Sequence, residues 1–373
     1  MVAVSSPSIS STSNSKSLVR SLMRRFASVI LLVVVWTCWK QRRDDGNGSI
    51  DISTRKATIA HSSEVTEETI EGVPVLWRKP SRVRGILFVA HGCSHSHIDW
   101  FVKSESCPTC IGLPSELSIV DIALKHNLLV VAVSSQDRIR KCWNARSDGD
   151  RVAGVLREFG SRYNGVPLWA FGASSGGAFV SRLAENMRSE GVELSGFISQ
   201  ISANTPSPTN GLDCAVYITM NRDLGTDERA KEHLQTWLKE RSGPAAKHVR
   251  LAPLLITESL FSDRASHNGP SPDKSKQMVG ALKDTGFLDG EGLLREDPRR
   301  SNWRSILHPL SVHAENEGPW FVKDEFAPDR SAISEIMNVA YSQHEMTPDG
   351  VEEGLKFCLE ERNKRREAKT EQK

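Results

Sequence analysis

Acidic residues are missing from the first 43 positions of this chain, although Asp and Glu total 46 over its 373 residues. A Ser- and Arg-rich stretch without carboxylates is not built like the rest. It reads as a disordered N-terminus over 1–25 followed by an address or anchor, outside any folded domain. A charge imbalance is missing as well: Lys and Arg total 48, for a net charge of +2. With no basic stripe interleaved with aromatics in the body of the chain, no nucleic-acid partner is expected. Cysteine is scarce, with seven residues (Cys38, Cys93, Cys107, Cys110, Cys142, Cys214 and Cys358), too few and too dispersed to scaffold the fold. No internal repeat recurs, which excludes a solenoid.

A full-length membrane span is also wanting. The apolar run Phe26 to Trp39, FASVILLVVVWTCW, would span roughly 21 Å as a helix, against roughly 30 Å of hydrocarbon. Arg24 and Arg25 before it, and Lys40, Arg42 and Arg43 after it, make up the difference by snorkelling. No small-x-small cleavage site follows. The run is therefore expected to be a single-pass signal anchor for a secretory-pathway protein, with a cleaved signal peptide or an organelle transit peptide as the alternatives. Basic residues balance on its two sides, so orientation stays open. Asn47-Gly48-Ser49 is a glycan acceptor if the body is lumenal. Residues 40–60 read as a polar linker.

From residue 61 onward, strands and helices alternate. Strand patterns lie at Glu67 to Arg78 (two short strands), Gly85 to Ala90, Leu128 to Ser134, Leu168 to Phe171, Gly196 to Ile201 and Ala215 to Met220, with a last one within His248 to Phe261. Helix patterns lie at Pro114 to His126, Asp148 to Tyr163, Gly177 to Arg188 and Asp227 to Arg241. Continuous apolar strands between helices predict an α/β fold with a mostly parallel, doubly wound sheet.

One stretch carries chemistry. In VPLWAFGASSGG, from Val166 to Gly177, a short strand meets a Gly-x-Ser-x-Gly turn and then a helix, which is the context in which a serine is exposed at a sheet edge. A hydroxyl is a weak nucleophile that needs exposure, a base and an oxyanion site. Ser174 is the candidate, although Ser175 at the apex of a shifted turn stays open.

These residues resemble the α/β-hydrolase fold family over roughly Glu67 to Glu361. The resemblance implies the chain order nucleophile, acid, histidine, each in a loop at the carboxyl end of the sheet. It places the acid in the loop after Ala215 to Met220, where Asp223 is preferred to Asp227, the latter expected to cap the following helix. It places the base in the loop before the last helix, at His344, ahead of His267, His308 and His313. It also implies an oxyanion turn at His91-Gly92-Cys93, with the Cys93 N–H preferred to that of Gly92 and the Ser175 N–H as second donor. About 80 residues precede His344, and 262–335 is expected to be a helical, lid-like insertion with helices near Lys274 to Thr285 and Arg300 to Leu307. A charged tail occupies 362–373.

His91, Cys93, His95 and His97 with Cys107 and Cys110 match no metal signature, so no metal and no organic cofactor are expected. Cys107 and Cys110 read as a small disulfide or structural pair. Cys38 aside, six cysteines remain, an even number able to pair in an oxidising compartment. The expected activity is that of a serine hydrolase of the esterase or lipase kind, cleaving a carboxylic ester of a small acyl substrate, with the membrane anchor tilting the choice toward lipid-like acyl groups. The alternatives are an acyltransferase with the same triad and a non-catalytic binding module. Oligomeric state is not readable.

Overall fold

Two short strands open the described part of the chain, which in this computed structural model comprises residues 64–204, 211–239, 243–264, 270–311 and 332–371. The N-terminus, the Phe26 to Trp39 run, the linker, Asn47, His267 and His313 lie outside the described residues. Among the described residues no helix is long and apolar enough to cross a membrane.

Strands β1 (Thr66–Ile70) and β2 (Val73–Arg78) pair antiparallel across Glu71 and Gly72, both at positive φ, the two-residue turn that suits strand twist. The other six are β3 (Gly85–Ala90), β4 (Leu128–Val133), β5 (Leu168–Ala173), β6 (Gly196–Gln200), β7 (Cys214–Met220) and β8 (Ala245–Leu251). The sheet order is β1-β2-β4-β3-β5-β6-β7-β8, parallel from β4 to β8, with β2 antiparallel to β4. From β3 the chain steps first to β4 on one side and then to β5 on the other. The carboxyl ends of β3 and β5 therefore flank a topological switch point, where open α/β sheets place their sites.

Alternate residues divide the core. Ile86, Phe88, Leu129, Val131, Leu168 and Ala170 face one cluster, with Val152, Leu156 and Phe159 of α2 (Ala145–Arg162), Phe179 of α3 (Ser175–Val180), Met187 of α4 (Leu183–Ser189) and Ala230 of α5 (Leu224–Lys239). Leu87, Val89, Val130, Ala132, Trp169 and Phe171 face the other, with Ile119 and Ala123 of α1 (Pro114–Lys125) and Val351, Leu355 and Cys358 of α10 (Val351–Glu371). Every residue of β3 to β7 is buried. Such two-faced burial is why these strands read as unbroken apolar runs.

Between β8 and α10 lie α6 (Leu260–Arg264), α7 (Pro272–Asp284), α8 (Trp303–Ser311) and α9 (Ala332–Tyr341). They pack a third cluster of their own around Phe261, Met278, Trp303, Leu307, Ile333 and Met337. The expected helices near 274–285 and 300–307 correspond to α7 and α8, while α9 was not anticipated.

Four boundaries depart from expectation. The single helix at Gly177 to Arg188 is two, broken where the Ser181 hydroxyl bonds back to Ala178 O at 2.9 Å. The last strand starts earlier, because AAKHVRL is a partly exposed edge strand without an apolar run. α5 begins at Leu224, so Asp227 does not cap it. Residues 362–371 continue α10 instead of forming a separate tail. Arg362 and Arg365 hold that part by pairing with the buried Asp213 at 3.0 and 3.4 Å.

Candidate active site

The turn after β5 forces Ser174 to φ 54° and ψ −116°, a region that L-residues occupy only where the surroundings impose it. Its N–H donates to Gln200 O at 2.9 Å. The turn tolerates no side chains on its flanks. A Cβ on Gly172 would lie 2.3 Å from Gly176 O, and one on Gly176 would lie 2.4 Å from the carbonyl oxygens of Ala90 and His91.

Ser174, not Ser175, stands at the apex. Ser174 Oγ lies 3.0 Å from His344 Nε2, and His344 Nδ1 lies 3.0 Å from Asp223 Oδ2. A carboxylate only accepts, so Nδ1–H donates to Asp223 and Nε2 is left to accept the serine proton. The Ser175 hydroxyl is turned the other way and accepts the Trp143 N–H at 3.3 Å. His308 sits within α8.

Asp223 is itself the N-terminal cap of α5, its Oδ1 accepting Thr226 N–H at 3.3 Å while Oδ2 holds the imidazole. Burial pushes its carboxyl up, but the bonds from His344 and Thr226 outweigh burial and hold it below the usual range. It is thus ionised at neutral pH. Capping and imidazole contact fall to one residue because a carboxylate has two oxygens. Asp227 does other work: almost fully buried, it accepts Thr219 Oγ1–H at 2.8 Å and pairs with Lys231 and Arg250.

The turn after β3 lies against this pair, since a Cβ on Gly92 would be 3.8 Å from Ser174 Cβ. Burial drives the His91 imidazole down to about 3, so it is neutral, with Nε2 accepting Ser135 N–H at 3.1 Å and Nδ1 donating to Gly92 O at 2.6 Å. In a trans peptide the carbonyl and the next N–H point in opposite directions. With Gly92 O held by the ring, the Cys93 N–H is aimed away from it. No acceptor for that N–H occurs among the described residues. The Ser175 N–H begins α3 and has no intrahelical acceptor.

Three disulfides form among the described residues: Cys93–Cys142, Cys107–Cys110 and Cys214–Cys358. The first ties the turn after β3 to the loop carrying Trp143, whose Nε1–H donates to His91 O at 2.9 Å. The His/Cys grouping considered from sequence does not assemble, because its cysteines are bonded elsewhere, His91 is engaged as above, and His97 Nδ1 meets Ser134 Oγ at 2.7 Å.

A cavity of about 290 Å³ opens over Ser174, walled by Ala173, Ile201 and Met346 on the apolar side and by His95, Arg299, Asn338 and Glu345 on the polar side. The last three carried no sequence signal. Arg299 donates to the His344 carbonyl and to Glu345 Oε2 (3.0 Å), which also accepts Asn338 Nδ2–H at 2.9 Å. Gln200 was missed too. Its main-chain oxygen holds Ser174 N–H, while its side-chain amide exchanges two 2.9 Å bonds with the Thr347 backbone. One buried residue therefore joins the serine turn to the histidine loop. A polar residue closing an apolar parallel strand was the available clue.

No protein-family model matches the chain, and no curated protein matches it. Among solved structures it is similar to a dienelactone hydrolase from Anabaena variabilis (14% identity, 51% of this chain and 86% of that one, TM-score 0.38). It is similar to an esterase from Pyrobaculum calidifontis (14%, 61% and 86%, 0.36) and to an alpha-beta serine hydrolase homologue from Coxiella burnetii (11%, 52% and 88%, 0.36). Strand order, crossovers and the turn at Ser174 together make this an α/β-hydrolase fold.

Proposed function

We propose that the chain is a serine hydrolase acting on a carboxylic ester through Ser174, His344 and Asp223. As Ser174 Oγ attacks the acyl carbon, His344 Nε2 takes its proton, and Asp223 keeps the imidazole oriented and offsets its charge. The N–H groups of Cys93 and Ser175, with Gly92 completing the turn, receive the oxyanion. His344 then returns the proton to the departing alkoxide. Water, activated by the same nitrogen, breaks the acyl-enzyme and releases the acid.

The observation that carries this reading is the pair of 3.0 Å contacts linking groups 170 and 121 residues apart in sequence. The imidazole is 48% exposed, so water has access, which favours hydrolysis over transfer to another acceptor. A cavity near the lower end of ligand-pocket volumes favours a compact acyl group over a long lipid chain.

Labelling with a fluorophosphonate probe tests the mechanism. The wild type is expected to react and Ser174→Ala not to. Labelling that survives in Ser174→Ala, or is lost only in Ser175→Ala, would sink the assignment, and a protein that never reacts would point to a binding module. Adding an alcohol to a short-chain ester assay separates hydrolase from acyltransferase by product.

The secretory-pathway placement with an N-terminal anchor belongs to the same proposal. Three disulfides, a rarity in reducing compartments, support the oxidising compartment, while the anchor rests on the Phe26 to Trp39 run of the sequence. Expression in a secreting cell should give a glycosidase-sensitive mass shift that is absent in Asn47→Gln.

A further inference from the structure

Beside the turn after β3, His95 meets two carboxylates that the acyl chemistry does not use. His95 Nδ1 is 3.3 Å from Asp99 Oδ2 and 3.6 Å from Glu116 Oε1, and the three donor atoms lie within 4.8 Å of one another. They come from separate places: His95 from the turn, Asp99 from the short 3-10 helix His97–Trp100, and Glu116 from the first turn of α1. Asp99 Oδ2 is steadied by the Ser96 N–H at 2.7 Å.

Glu116 is the unexplained member. It is fully buried, and neither of its oxygens accepts a hydrogen bond among the described residues. Buried carboxylates persist when they are paired, hydrogen-bonded or bound to metal. A proton on one oxygen leaves the other unserved, whereas a cation at the focus of the three groups serves the carboxylate directly. Tetrahedral bonds of about 2.0–2.2 Å set ligand atoms roughly 3.3–3.6 Å apart, the spacing that His95 keeps with both carboxylates.

We propose that His95 Nδ1, Asp99 Oδ2 and Glu116 Oε1 bind one divalent cation of the zinc class. One imidazole and two carboxylates suit zinc, whereas calcium and magnesium call for all-oxygen shells of six or more. The cation clamps the segment after β3 to α1. His95 Cδ2 lies 3.8 Å from where a Gly92 Cβ would stand, so the clamp also steadies the turn offered to the oxyanion. The binding site itself does not depend on Ser174 chemistry, and its tests read metal, not turnover.

The intact protein, stripped with a chelator and dialysed against Zn²⁺, is expected to hold one equivalent by elemental analysis, as is Ser174→Ala. Glu116→Gln is expected to bind at least about tenfold more weakly and to lose the zinc-induced rise in melting temperature. Asp99→Asn provides the same comparison should Glu116→Gln fail to fold, with near-UV circular dichroism as the check. Co²⁺ added to the stripped wild type should give the intense visible bands of a tetrahedral site. No zinc above background, equal binding by a folded Glu116→Gln, or only the spectrum of hydrated cobalt overturns the site.

Discussion

Two aspartates four residues apart divide two kinds of work. Asp223 has one oxygen on the imidazole and one on a helix N–H, so Asp223→Asn should preserve the cap while reversing the bond that fixes the His344 tautomer. A loss of roughly 10⁴-fold in kcat with little change in KM is expected, the scale of the same change in other triads. Asp227 sits among Lys231, Arg250 and Thr219, with both cations about half exposed. Solvent screening discounts those pairs, and Asp227→Asn should cost about 1–2 kcal/mol in urea unfolding while kcat stays within a few-fold. If the two variants exchange these phenotypes, the acid is misassigned. Ser174 and Ser175 are separated in the same way: Ser174→Ala should lose about 10⁴- to 10⁶-fold in kcat, and Ser175→Ala only the weak bond to Trp143.

The elements tell which parts of the site can move without loss. An alanine at Gly172 or Gly176 drives a Cβ into backbone, which cannot yield as a side chain can. Each should cost more than about 3 kcal/mol or prevent folding. Gly160→Ala, inside α2 with open space at its Cβ, should be neutral or stabilise by up to about 1 kcal/mol. Gln200→Leu leaves both Thr347 backbone groups unserved, and a loss of about 2–4 kcal/mol should accompany a drop in kcat. The disulfides rank differently for stability and for turnover. Chain entropy makes Cys214–Cys358, closing 144 residues, worth roughly 5 kcal/mol and Cys93–Cys142, closing 49, roughly 4. Only the latter holds the turn after β3 beside Ser174, so Cys93→Ser/Cys142→Ser should lower kcat and Cys214→Ser/Cys358→Ser should not. Strands buried on both faces, such as GILFVA and the 128–133 strand, were legible in the sequence to within a residue because they read as unbroken apolar runs. AAKHVRL was not, since an edge strand has no second buried face to mark it. The convergence of Ser174, Asp223 and His344 was legible because the first two follow strand ends and the third precedes the last helix. Arg299, Asn338 and Glu345 were hidden because only the tertiary path of the chain after β8 brings them to the cavity, and the cap assignment failed because Asp223 proved able to serve two partners.

At the scale of the whole molecule, the site joins the ends of β3, β5 and β7 to a loop arriving after the described helices α6 to α9, so its integrity reports on the global fold. His91 makes that link measurable through pH. Its imidazole titrates near 6.5 in an unfolded chain and at about 3 in the fold, where burial keeps it neutral. Above pH 6.5 both states are neutral there, and the full stability of the buried ring is present. As pH falls from 6.5 toward 3, the unfolded chain takes up a proton that the fold refuses, and stability drops at up to roughly 1.4 kcal/mol per pH unit from this group alone. His91→Asn keeps a donor for Gly92 O, loses the Ser135 contact and removes the titration. Urea unfolding at intervals from pH 7 to pH 4 should show the variant about 1–2 kcal/mol less stable at pH 7, with the gap narrowing as the acid limb of the wild type steepens. Parallel curves for the two proteins would mean that His91 is already charged in the fold. The Gly92 carbonyl would then be held by an imidazolium, and the Cys93 N–H would owe its direction to the disulfide at Cys142.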